Sequence, residues 1–518
     1  MASLRRCFRE SASASDSPRF SEIHGSGLFG AQHPSRREFI KGALALGAAA
    51  MIPGCRRSGN ESGPRVAIVG AGIAGLSAAH ALAKGGLSAD LYEAGARAGG
   101  RILTLQNVVA PGLLSEAGGE FIDSDHADML ALAREFGFAI KDAQAPEFSG
   151  RTETAWFFGG RLRAEAEVAL AVREMTGRIQ MDIGALPDRI VAGAGGKAAQ
   201  LDTHSLDEYL AKREVTGWLR DLLVAAYVTE FGLDAGQQSC LNLLTLISLD
   251  TSAGRFQVFG KSDERYRVDG GNQAVTDALA DKYQSHLKLN HRLEAIASAG
   301  EGFKLSFQGP GGPVETRADV VILTLPFTLL RSVDMRVELP PLKRKAIDEL
   351  GYGTNAKLFL GFSSRPWRKA GFSGNFFTDG PMQSGWDHTR VQPEPAGGLT
   401  VFQGGSAGVA LGQGGPAAQA AAMSDPLEAL FPGSKAARNG KVGAFHWPSY
   451  PLSLGSYACY KPGQWTGFAG EEGKAEGNLF FAGEHCSLDF QGYMNGGAAT
   501  GREAAQAVLA KWRSGKTA

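Results

Sequence analysis

The sequence is poor in cysteine, and its few cysteines are widely spread. Five occur among 518 residues, at positions 7, 55, 240, 459 and 486. None belongs to a CxxC pair or to another spacing typical of metal ligands, so the sequence predicts no metal site. Cys240, Cys459 and Cys486 allow at most one disulfide among them, and we expect three separate buried thiols instead.

The chain also lacks an excess of charge of either sign. Its 53 lysines and arginines balance 53 aspartates and glutamates. Proteins that bind nucleic acid through phosphate contacts usually carry a basic excess, so nucleic acid is not expected as a partner. Length and composition instead fit a globular protein of two or three subdomains around a large core.

Long hydrophobic runs are missing as well. The most apolar stretch, residues 40–52, is shorter than the roughly 20 residues that a membrane-spanning helix needs. It follows the pair Arg36 and Arg37 and runs into the sequence Ile-Pro-Gly-Cys. This arrangement resembles a twin-arginine export signal that ends in a lipobox. The alternative is an ordinary buried amphipathic segment.

The resemblance to an export signal implies a location and a partner. Residues 1–54 would be the signal and residues 55–64 a flexible linker rich in polar residues and glycine. The twin-arginine machinery would then export the folded protein to the periplasm or cell envelope. Cys55 would carry a lipid that anchors the protein to a membrane.

Strand and helix patterns change along the chain. From residue 65 to about 125, buried strands such as RVAIV and ADLY alternate with helical segments. Residues 126–265 are rich in helical apolar spacing, as in SLDEYLAKREVTGWLRDLLVAAY. Strands return from residue 266, as in HLKLNHRLEAI and ADVVILTLP. A helix-rich insert between strand-rich parts predicts an α/β fold with two interleaved domains.

A dinucleotide site is predicted by the motif GAGIAG, which follows the strand RVAIV and opens a helix. Gly70 allows the tight turn, Gly72 lets the backbone approach a pyrophosphate, and Gly75 lets the helix pack on the strand. Ala74 lies in the first helical turn, whose free N–H groups attract phosphate. Glu93 comes 23 residues after Gly70, where an acid accepts hydrogen bonds from ribose hydroxyls.

Two further glycine-rich segments indicate which dinucleotide is bound. EAGARAGGRI begins at the ribose acid, and SEAGGEFID follows it. Both resemble motifs of the FAD-dependent flavin monoamine oxidase family, which also includes polyamine and L-amino-acid oxidases. The resemblance implies that Arg101 faces the pyrophosphate or the flavin. It also implies that Gly118 and Gly119 let the backbone approach the isoalloxazine ring.

The C-terminal segment NLFFAGEHCSLDFQGYMNGGAATGREAAQAVL resembles the last FAD motif of that family. By this resemblance, Gly483 and Glu484 contact the ribityl chain and phosphate region, and Met494 lies at the pyrimidine edge of the flavin. The backbone of Leu293 is the candidate adenine contact. The family fold is an FAD-binding Rossmann-like domain interleaved with a mixed-sheet substrate domain. It implies FAD-binding parts at 65–125, 266–335 and 456–518, a helical substrate-domain insert at 126–265, and the remaining substrate domain at 336–455.

The same resemblance supplies candidate catalytic residues. Lys357, in GYGTNAKLFLGF, matches the family lysine that holds a water against flavin N5, and its apolar neighbours predict a buried strand. Tyr457 and Tyr493 match two rings that hold the amine between their faces and exclude water. Trp447 precedes Tyr457 by ten residues and is predicted to line the same cavity. For each tyrosine, simple core packing is the alternative.

Two departures from the family motifs refine the prediction. Ser456 stands where some relatives carry the cysteine that binds the flavin covalently, so we expect non-covalent FAD. Glu120 follows Gly119, where amino-acid oxidases of the family carry an arginine for the substrate carboxylate. Because a carboxylate attracts ammonium, Glu120 is predicted to bind a distal ammonium, which favours amines or diamines. The alternative is that Glu120 points to solvent.

The predicted activity is the FAD-dependent oxidation of an amine to an imine, which hydrolyses to a carbonyl compound. Oxygen is the expected electron acceptor and hydrogen peroxide the expected product. Three alternatives stay open: a desaturase or dehydrogenase of the same fold with another acceptor, an L-amino-acid oxidase, and an exported flavoprotein without turnover. Lys357 and the tyrosine pair favour the oxidase, because the same-fold desaturases need neither.

Overall fold

The computed structural model describes residues 63–252 and 254–515. The predicted export signal, Cys55 and most of the predicted linker lie outside the described residues. The strands, in chain order, are β1 (Val66–Val69), β2 (Ala89–Tyr92), β3 (Thr104–Gln106), β4 (Leu114–Glu116), β5 (Ile140–Asp142), β6 (Thr152–Phe158), β7 (Arg161–Arg163), β8 (Tyr266–Val268), β9 (Leu287–Lys288), β10 (Arg292–Ala299), β11 (Gly302–Gly309), β12 (Gly312–Ala318), β13 (Val320–Leu323), β14 (Asp334–Arg336), β15 (Ala356–Phe362), β16 (Phe372–Thr378), β17 (Ser384–Asp387), β18 (Gly397–Gln403), β19 (Arg438–His446) and β20 (Leu479–Phe481).

Helices of very different length connect these strands. They are α1 (Ile73–Lys84), α2 (Ala127–Glu135), α3 (Glu165–Gly184), α4 (Gly196–Asp202), α5 (Leu206–Lys212), α6 (Gly217–Phe231), α7 (Cys240–Leu244), α8 (Gln273–Lys282), α9 (Phe327–Leu330), α10 (Pro341–Glu349), α11 (Pro366–Lys369), α12 (Gly405–Leu411), α13 (Gly415–Ala422), α14 (Ser424–Leu430), α15 (Ser434–Ala437), α16 (Gln464–Phe468) and α17 (Met494–Arg513). In the described part of the chain, no helix is both long enough and apolar enough to cross a bilayer.

A parallel sheet of five strands, in the order β20-β13-β1-β2-β9, joins parts of the chain that are far apart in sequence. All four residues of β1 are buried, because β1 lies in the middle of this sheet. Gly70 and Glu93 directly follow β1 and β2. The parallel sheet therefore brings the glycine-rich turn and the predicted ribose acid to the same edge.

Helix α17 packs directly on α1, beside that edge. A Cβ added to Gly501 would lie 2.0 Å from the carbonyl oxygen of Ala74. Only glycine allows the two backbones to come so close, so Gly501 sets the distance between the two helices. The C-terminal helix is thereby fixed against the start of α1, where the phosphate site is predicted.

The second large sheet has seven strands in the order β19-β15-β18-β17-β16-β6-β7. Its neighbours pair antiparallel except β16 and β6, which run parallel. All seven residues of β15 are buried, including Lys357. Together the two large sheets give the mixed α/β architecture that the sequence predicts.

The predicted helical insert, residues 126–265, is only partly helical. It contains α2 to α7, but β6 and β7 also lie within it and form one end of the seven-stranded sheet. Gly159 and Gly160 both have positive φ and make the tight turn of this hairpin. The Gly-Gly pair between two short strands is a hairpin signal within a segment that the sequence analysis predicted to be helix-rich.

The three cysteines within the described residues are free thiols. Cys240 and Cys459 are buried and Cys486 is partly buried. Burial raises the pKa of the Cys240 thiol to about 12, so this thiol stays protonated. These cysteines serve as small packing residues and form no disulfide with one another.

Candidate active site

A cavity of about 870 Å³ is lined by loops that follow strands of the five-stranded sheet, by strands of the seven-stranded sheet and by the helical segment. Its size is in the range of small-molecule and cofactor sites. Most of the predicted site residues meet in it, although they come from distant parts of the sequence. Its lining includes Gly70, Gly72, Ala74, Glu93, Arg101, Gly118, Gly119, Glu120, Lys357, Trp447, Tyr457, Gly483, Glu484, Tyr493 and Met494.

Two predicted cofactor residues do not belong to this lining. A Cβ added to Gly75 would lie 1.9 Å from the carbonyl oxygen of Gly70, so Gly75 permits helix packing. Leu293 is buried in β10, opposite Phe307 of β11. The adenine contact proposed for the Leu293 backbone stays a prediction.

The dinucleotide end of the cavity is built mainly from backbone. Gly70 has a φ of 102°, which favours glycine at the turn between β1 and α1. The Glu93 carboxylate accepts hydrogen bonds from the N–H groups of Ala71 and Gly95, both at 2.8 Å. No side chain caps the start of α1 at Gly72, so N–H groups of its first turn stay available for a phosphate.

Further along the cavity, glycines keep the wall free of side chains. A Cβ added to Gly118 would lie 1.8 Å from the carbonyl oxygen of Arg101. One added to Gly119 would lie 2.5 Å from Cγ of Met494. A flat ring system can approach such a bare wall closely. The glycine wall and the open helix start therefore fit a flavin dinucleotide.

Arg101 and Glu484 form an ion pair that ties three chain segments together. Nη1 of Arg101 donates to Oε1 of Glu484 at 2.8 Å and to the carbonyl oxygen of Ser456 at 2.7 Å. Oε2 of Glu484 accepts from the N–H of Gly492 at 2.8 Å. Glu484 lines the cavity while its carboxylate also holds these segments together, and its contact with the ribityl and phosphate region stays a prediction.

Lys357 does not lie in the apolar surroundings that its neighbours in sequence suggest. Its Nζ donates to the carbonyl oxygens of Glu116 and Gly118, both at 2.9 Å, and to Oε2 of Glu120 at 3.1 Å. It also lies 5.2 Å from the ring centre of Trp386. Each of the three N–H groups of the ammonium therefore has a hydrogen-bond acceptor. These acceptors hold the positive charge beside the glycine wall.

The prediction for Glu120 is corrected by the same contacts. Glu120 is only 4% exposed, so it does not point to solvent. Its Oε1 accepts a hydrogen bond from Nε1 of Trp386 at 2.8 Å and lies 3.6 Å from Nε of Arg267. Because Lys357 and Arg267 already balance its charge, Glu120 has no free charge for a distal substrate ammonium.

The two predicted cage tyrosines are held by consecutive residues of one helix. The hydroxyl of Tyr457 donates to the carbonyl oxygen of Thr229 at 3.2 Å. The hydroxyl of Tyr493 donates to Oε1 of Glu230 at 3.0 Å. Both partners lie near the C-terminal end of α6, so this helix fixes the positions of both rings.

Trp447 lines the cavity beside Gly118 and, among the described residues, forms no hydrogen bond with either cage tyrosine. Its Nε1 donates to the carbonyl oxygen of Ala117 at 2.9 Å. A ring carbon of Trp447 lies 3.2 Å from the position that a Cβ on Gly118 would take. Trp447 therefore packs against Gly118 as part of the cavity wall.

Among the cavity residues that the sequence analysis did not predict are three charged ones, Glu230, Glu264 and Arg267. Burial raises the pKa of the Glu230 carboxyl to about 7. Burial and then repulsion by Glu230 raise the pKa of the Glu264 carboxyl to about 8. The position of Glu230 inside the apolar run LLVAAYVTEF was the available signal, because a charged residue there is costly to bury.

Comparisons with known proteins found similar oxidases. Over 479 residues the chain is 26% identical to AofH of Mycobacterium tuberculosis, which is named as a flavin-containing monoamine oxidase; the match covers 86% of this chain and 96% of AofH. It is 24% identical over 492 residues to an L-amino-acid oxidase of Vipera ammodytes ammodytes, covering 88% of this chain and 94% of that one.

Solved structures share the fold. The cyclohexylamine oxidase of Brevibacterium oxydans IH-35A superimposes with a TM-score of 0.76 at 22% identity, covering 87% of this chain and all of that one. A putrescine oxidase bound to putrescine gives a TM-score of 0.72 at 21% identity, with 86% and 99% covered. The family described as flavin containing amine oxidoreductase matches residues 73–509. The chain belongs to this family of flavin-containing amine oxidoreductases.

Proposed function

We propose that the chain binds FAD without a covalent bond and passes the electrons of its amine substrate to oxygen, giving hydrogen peroxide. One observation carries this proposal: the tyrosine pair, Lys357 and the dinucleotide motif line a single cavity. Bound FAD supplies the two-electron oxidation of the C–N bond. The residues of the chain bind and orient the amine and exclude water around it.

In this proposal Tyr457 and Tyr493 hold the amine between their rings. Each ring is fixed through its hydroxyl to α6, at Thr229 and Glu230 respectively. Fixed aromatic faces attract the amine end of a substrate and keep water away from the reacting carbon. The oxidised product is an imine, and its hydrolysis gives a carbonyl compound and ammonia or a smaller amine.

Lys357 is the residue proposed to serve the oxygen step. Its ammonium group is held by two carbonyl oxygens and Glu120 beside the glycine wall, where the flavin ring is expected. A preorganised cation in a dry site stabilises the negative charge that develops on oxygen as it takes up electrons. Ser456 supports non-covalent binding, because a serine offers no thiol for a flavin thioether.

A second candidate activity, amino-acid oxidation, is favoured by Arg267. This residue lines the cavity from the middle of β8, and its Nε and Nη1 are buried without a hydrogen-bond partner. Its guanidinium lies 4.7 Å from the ring centre of Phe121. A guanidinium in the cavity with N–H groups that donate no hydrogen bond suits a substrate carboxylate, although Arg267 also lies 3.6 Å from Glu120. The likeness to L-amino-acid oxidases points the same way.

The experiment is an anaerobic titration of the purified flavoprotein with primary, secondary and cyclic amines, polyamines and amino acids. We expect one class to bleach the flavin absorbance, and added oxygen to restore it with formation of hydrogen peroxide. Bleaching without recovery in oxygen would contradict oxygen as the acceptor. A flavin that no amine and no amino acid bleaches would contradict the proposed function. Arg267→Gln distinguishes the candidates, because only amino-acid substrates should bind more weakly.

We also propose that the twin-arginine route exports the protein and that Cys55 carries a lipid. The support is the sequence pattern Arg36-Arg37, a short apolar run and a cysteine. The double change Arg36→Lys, Arg37→Lys should leave precursor in the cytoplasm. Cys55→Ser should leave export intact but release the protein from membranes, and continued membrane attachment of that variant would contradict lipidation.

A further inference from the structure

We propose that Glu230 accepts the proton of the substrate's ammonium group inside the cavity, so that the amine is oxidised in its neutral form. The inference rests on the proposed function, namely that an amine is oxidised between Tyr457 and Tyr493. A proton acceptor is needed because an amine substrate is an ammonium ion in neutral water.

The position of Glu230 supports this role. It is the penultimate residue of α6 and lines the cavity. Its Oε1 accepts a hydrogen bond from the hydroxyl of Tyr493 at 3.0 Å. Among the described residues, its Oε2 accepts no hydrogen bond and its carboxylate forms no ion pair. An ammonium group that enters between the two tyrosines is therefore the cation that Glu230 would meet.

The surroundings of Glu230 favour proton transfer, because they raise the pKa of the carboxyl and lower the pKa of the ammonium. Burial raises the pKa of the Glu230 carboxyl to about 7; the hydrogen bond from Tyr493 opposes this shift and the charge of Asp123 adds to it. The same dry walls disfavour an ammonium ion and lower its pKa. The titratable and charged groups that face Glu230 are Asp123, Tyr227, Glu264, Tyr457 and Tyr493.

The proposed step needs no further reactant. The N–H bond of the ammonium group breaks and an O–H bond forms on the Glu230 carboxylate. The nitrogen keeps the electron pair of the broken bond, and this lone pair is what oxidation of the C–N bond requires. Amine and carboxylic acid are then both neutral, which suits a cavity closed by aromatic rings.

Glu264 provides a matched control. It lines the same cavity and also has a raised pKa, but its carboxylate binds neither cage tyrosine. Glu264→Gln removes an acid of the same size from the same cavity. Glu230→Gln keeps the shape and an oxygen for the Tyr493 hydroxyl, so folding and flavin content, checked by absorbance and Tm, should survive.

The first measurement reads proton release without turnover. The probe is the α,α-dimethyl analogue of the amine that bleaches the flavin fastest, since it has no α-hydrogen to lose. Calorimetric titration at about pH 8 in two buffers of different ionisation enthalpy counts the released protons. Wild type and Glu264→Gln should release close to none, because Glu230 takes the proton. Glu230→Gln should release close to one. Equal release by Glu230→Gln and wild type would overturn the proposal.

The second measurement is the pH dependence of anaerobic flavin reduction at low concentrations of that fastest amine. In wild type the rate should fall only below about pH 7, where Glu230 is already protonated in the free protein. In Glu230→Gln it should fall about tenfold per pH unit below the pKa of the amine itself. A β,β-difluoro analogue, whose ammonium is much more acidic, should reduce both proteins equally near neutral pH. If amines reduce wild type and Glu230→Gln with the same pH profile, this inference fails while the proposed function stands. If no amine reduces wild type, the proposed function fails first.

Discussion

Lys357 and Glu120 form a buried ion pair in which Nζ donates to Oε2 over 3.1 Å. Each residue is 4% exposed, so both charges have been taken out of water. Two carbonyl oxygens and the indole N–H of Trp386 complete the hydrogen bonding of the pair. Removing only one partner of such a pair strongly destabilises the folded protein, because the other charge is left buried without its partner.

We therefore expect Glu120→Gln to destabilise the protein by about 3–5 kcal/mol, with Lys357 left unbalanced. The double variant Glu120→Gln, Lys357→Met should recover a large part of this loss. Denaturant unfolding, followed by tryptophan fluorescence, measures both. If the double variant is as unstable as the sum of the two single variants, the two residues are energetically independent and the ion pair contributes little.

Lys357→Met should slow the reoxidation of reduced flavin by oxygen by roughly 10²–10³, the usual effect of losing one preorganised charge. Anaerobic reduction by the amine should change much less. Stopped-flow absorbance separates the two half-reactions. Tyr493→Ala is the opposite control: it should impair reduction and leave reoxidation nearly unchanged. Normal reoxidation in Lys357→Met would remove this lysine from the oxygen step.

The rate of flavin reduction falls on the acid side of its pH profile, here called the acid limb. Tyr493→Phe should move this acid limb to higher pH. The Tyr493 hydroxyl donates to the Glu230 carboxylate, and this hydrogen bond favours the ionised form and lowers its pKa. Its loss raises the pKa of Glu230, so the carboxylate becomes protonated at a higher pH than in wild type. Tyr457→Phe is the matched control, because the Tyr457 hydroxyl donates to the Thr229 carbonyl oxygen. An unchanged acid limb in Tyr493→Phe would separate that limb from Glu230.

Gly118→Ala should strongly reduce flavin retention. The added methyl group would lie 1.8 Å from the carbonyl oxygen of Arg101, so the wall behind the predicted ring site has to move. The ratio of flavin to protein absorbance after gel filtration reports the loss. Gly177→Ala in α3 is the control: nothing lies within 4 Å of its added Cβ, so it should bind flavin normally and gain about 0.5–1 kcal/mol of stability.

Acid precipitation should release all of the flavin into the supernatant. Ser456 is buried, and its hydroxyl donates to Oδ1 of Asn355 at 2.6 Å, so it is engaged as a structural hydrogen-bond donor. Absorbance of the supernatant and the pellet at the flavin maximum measures the outcome. Yellow colour that remains with the precipitated protein would show a covalent bond and contradict this prediction.

Sequence reasoning identified the parts of the site that are local in the chain. The GAGIAG turn and the GG of SEAGGEFID are recognisable because a few adjacent residues decide the backbone path. The partners of the polar side chains were not recognisable in this way. Glu120 lies 237 residues from Lys357, and Glu230 lies 263 residues from Tyr493, so only the folded chain brings them together.

The error over Glu120 has the same origin. Its identity suggested a free negative charge in the substrate site, and charge alone cannot reveal that Lys357 and Arg267 balance it. Glu230 lies at the apolar end of α6, and the helical pattern alone does not show that this acid faces a cavity. Buried charges inside apolar helices are the residues for which sequence reasoning most needs the tertiary structure.

Both cage rings are attached to α6, at Thr229 and Glu230, and not to the glycine wall beside the flavin. The sequence of the tyrosine cage can therefore change without changing the cofactor site. The glycine wall consists of closely packed backbone and tolerates few substitutions. The position of the cage depends on α6, whose other side packs in its own apolar cluster, with Leu222, Ala226 and Tyr227. Repacking that cluster would shift the helix and alter the gap between the rings while the glycine wall stays intact. Volume changes at Leu222, Ala226 and Tyr227, which do not line the cavity, would thus alter which substrates fit.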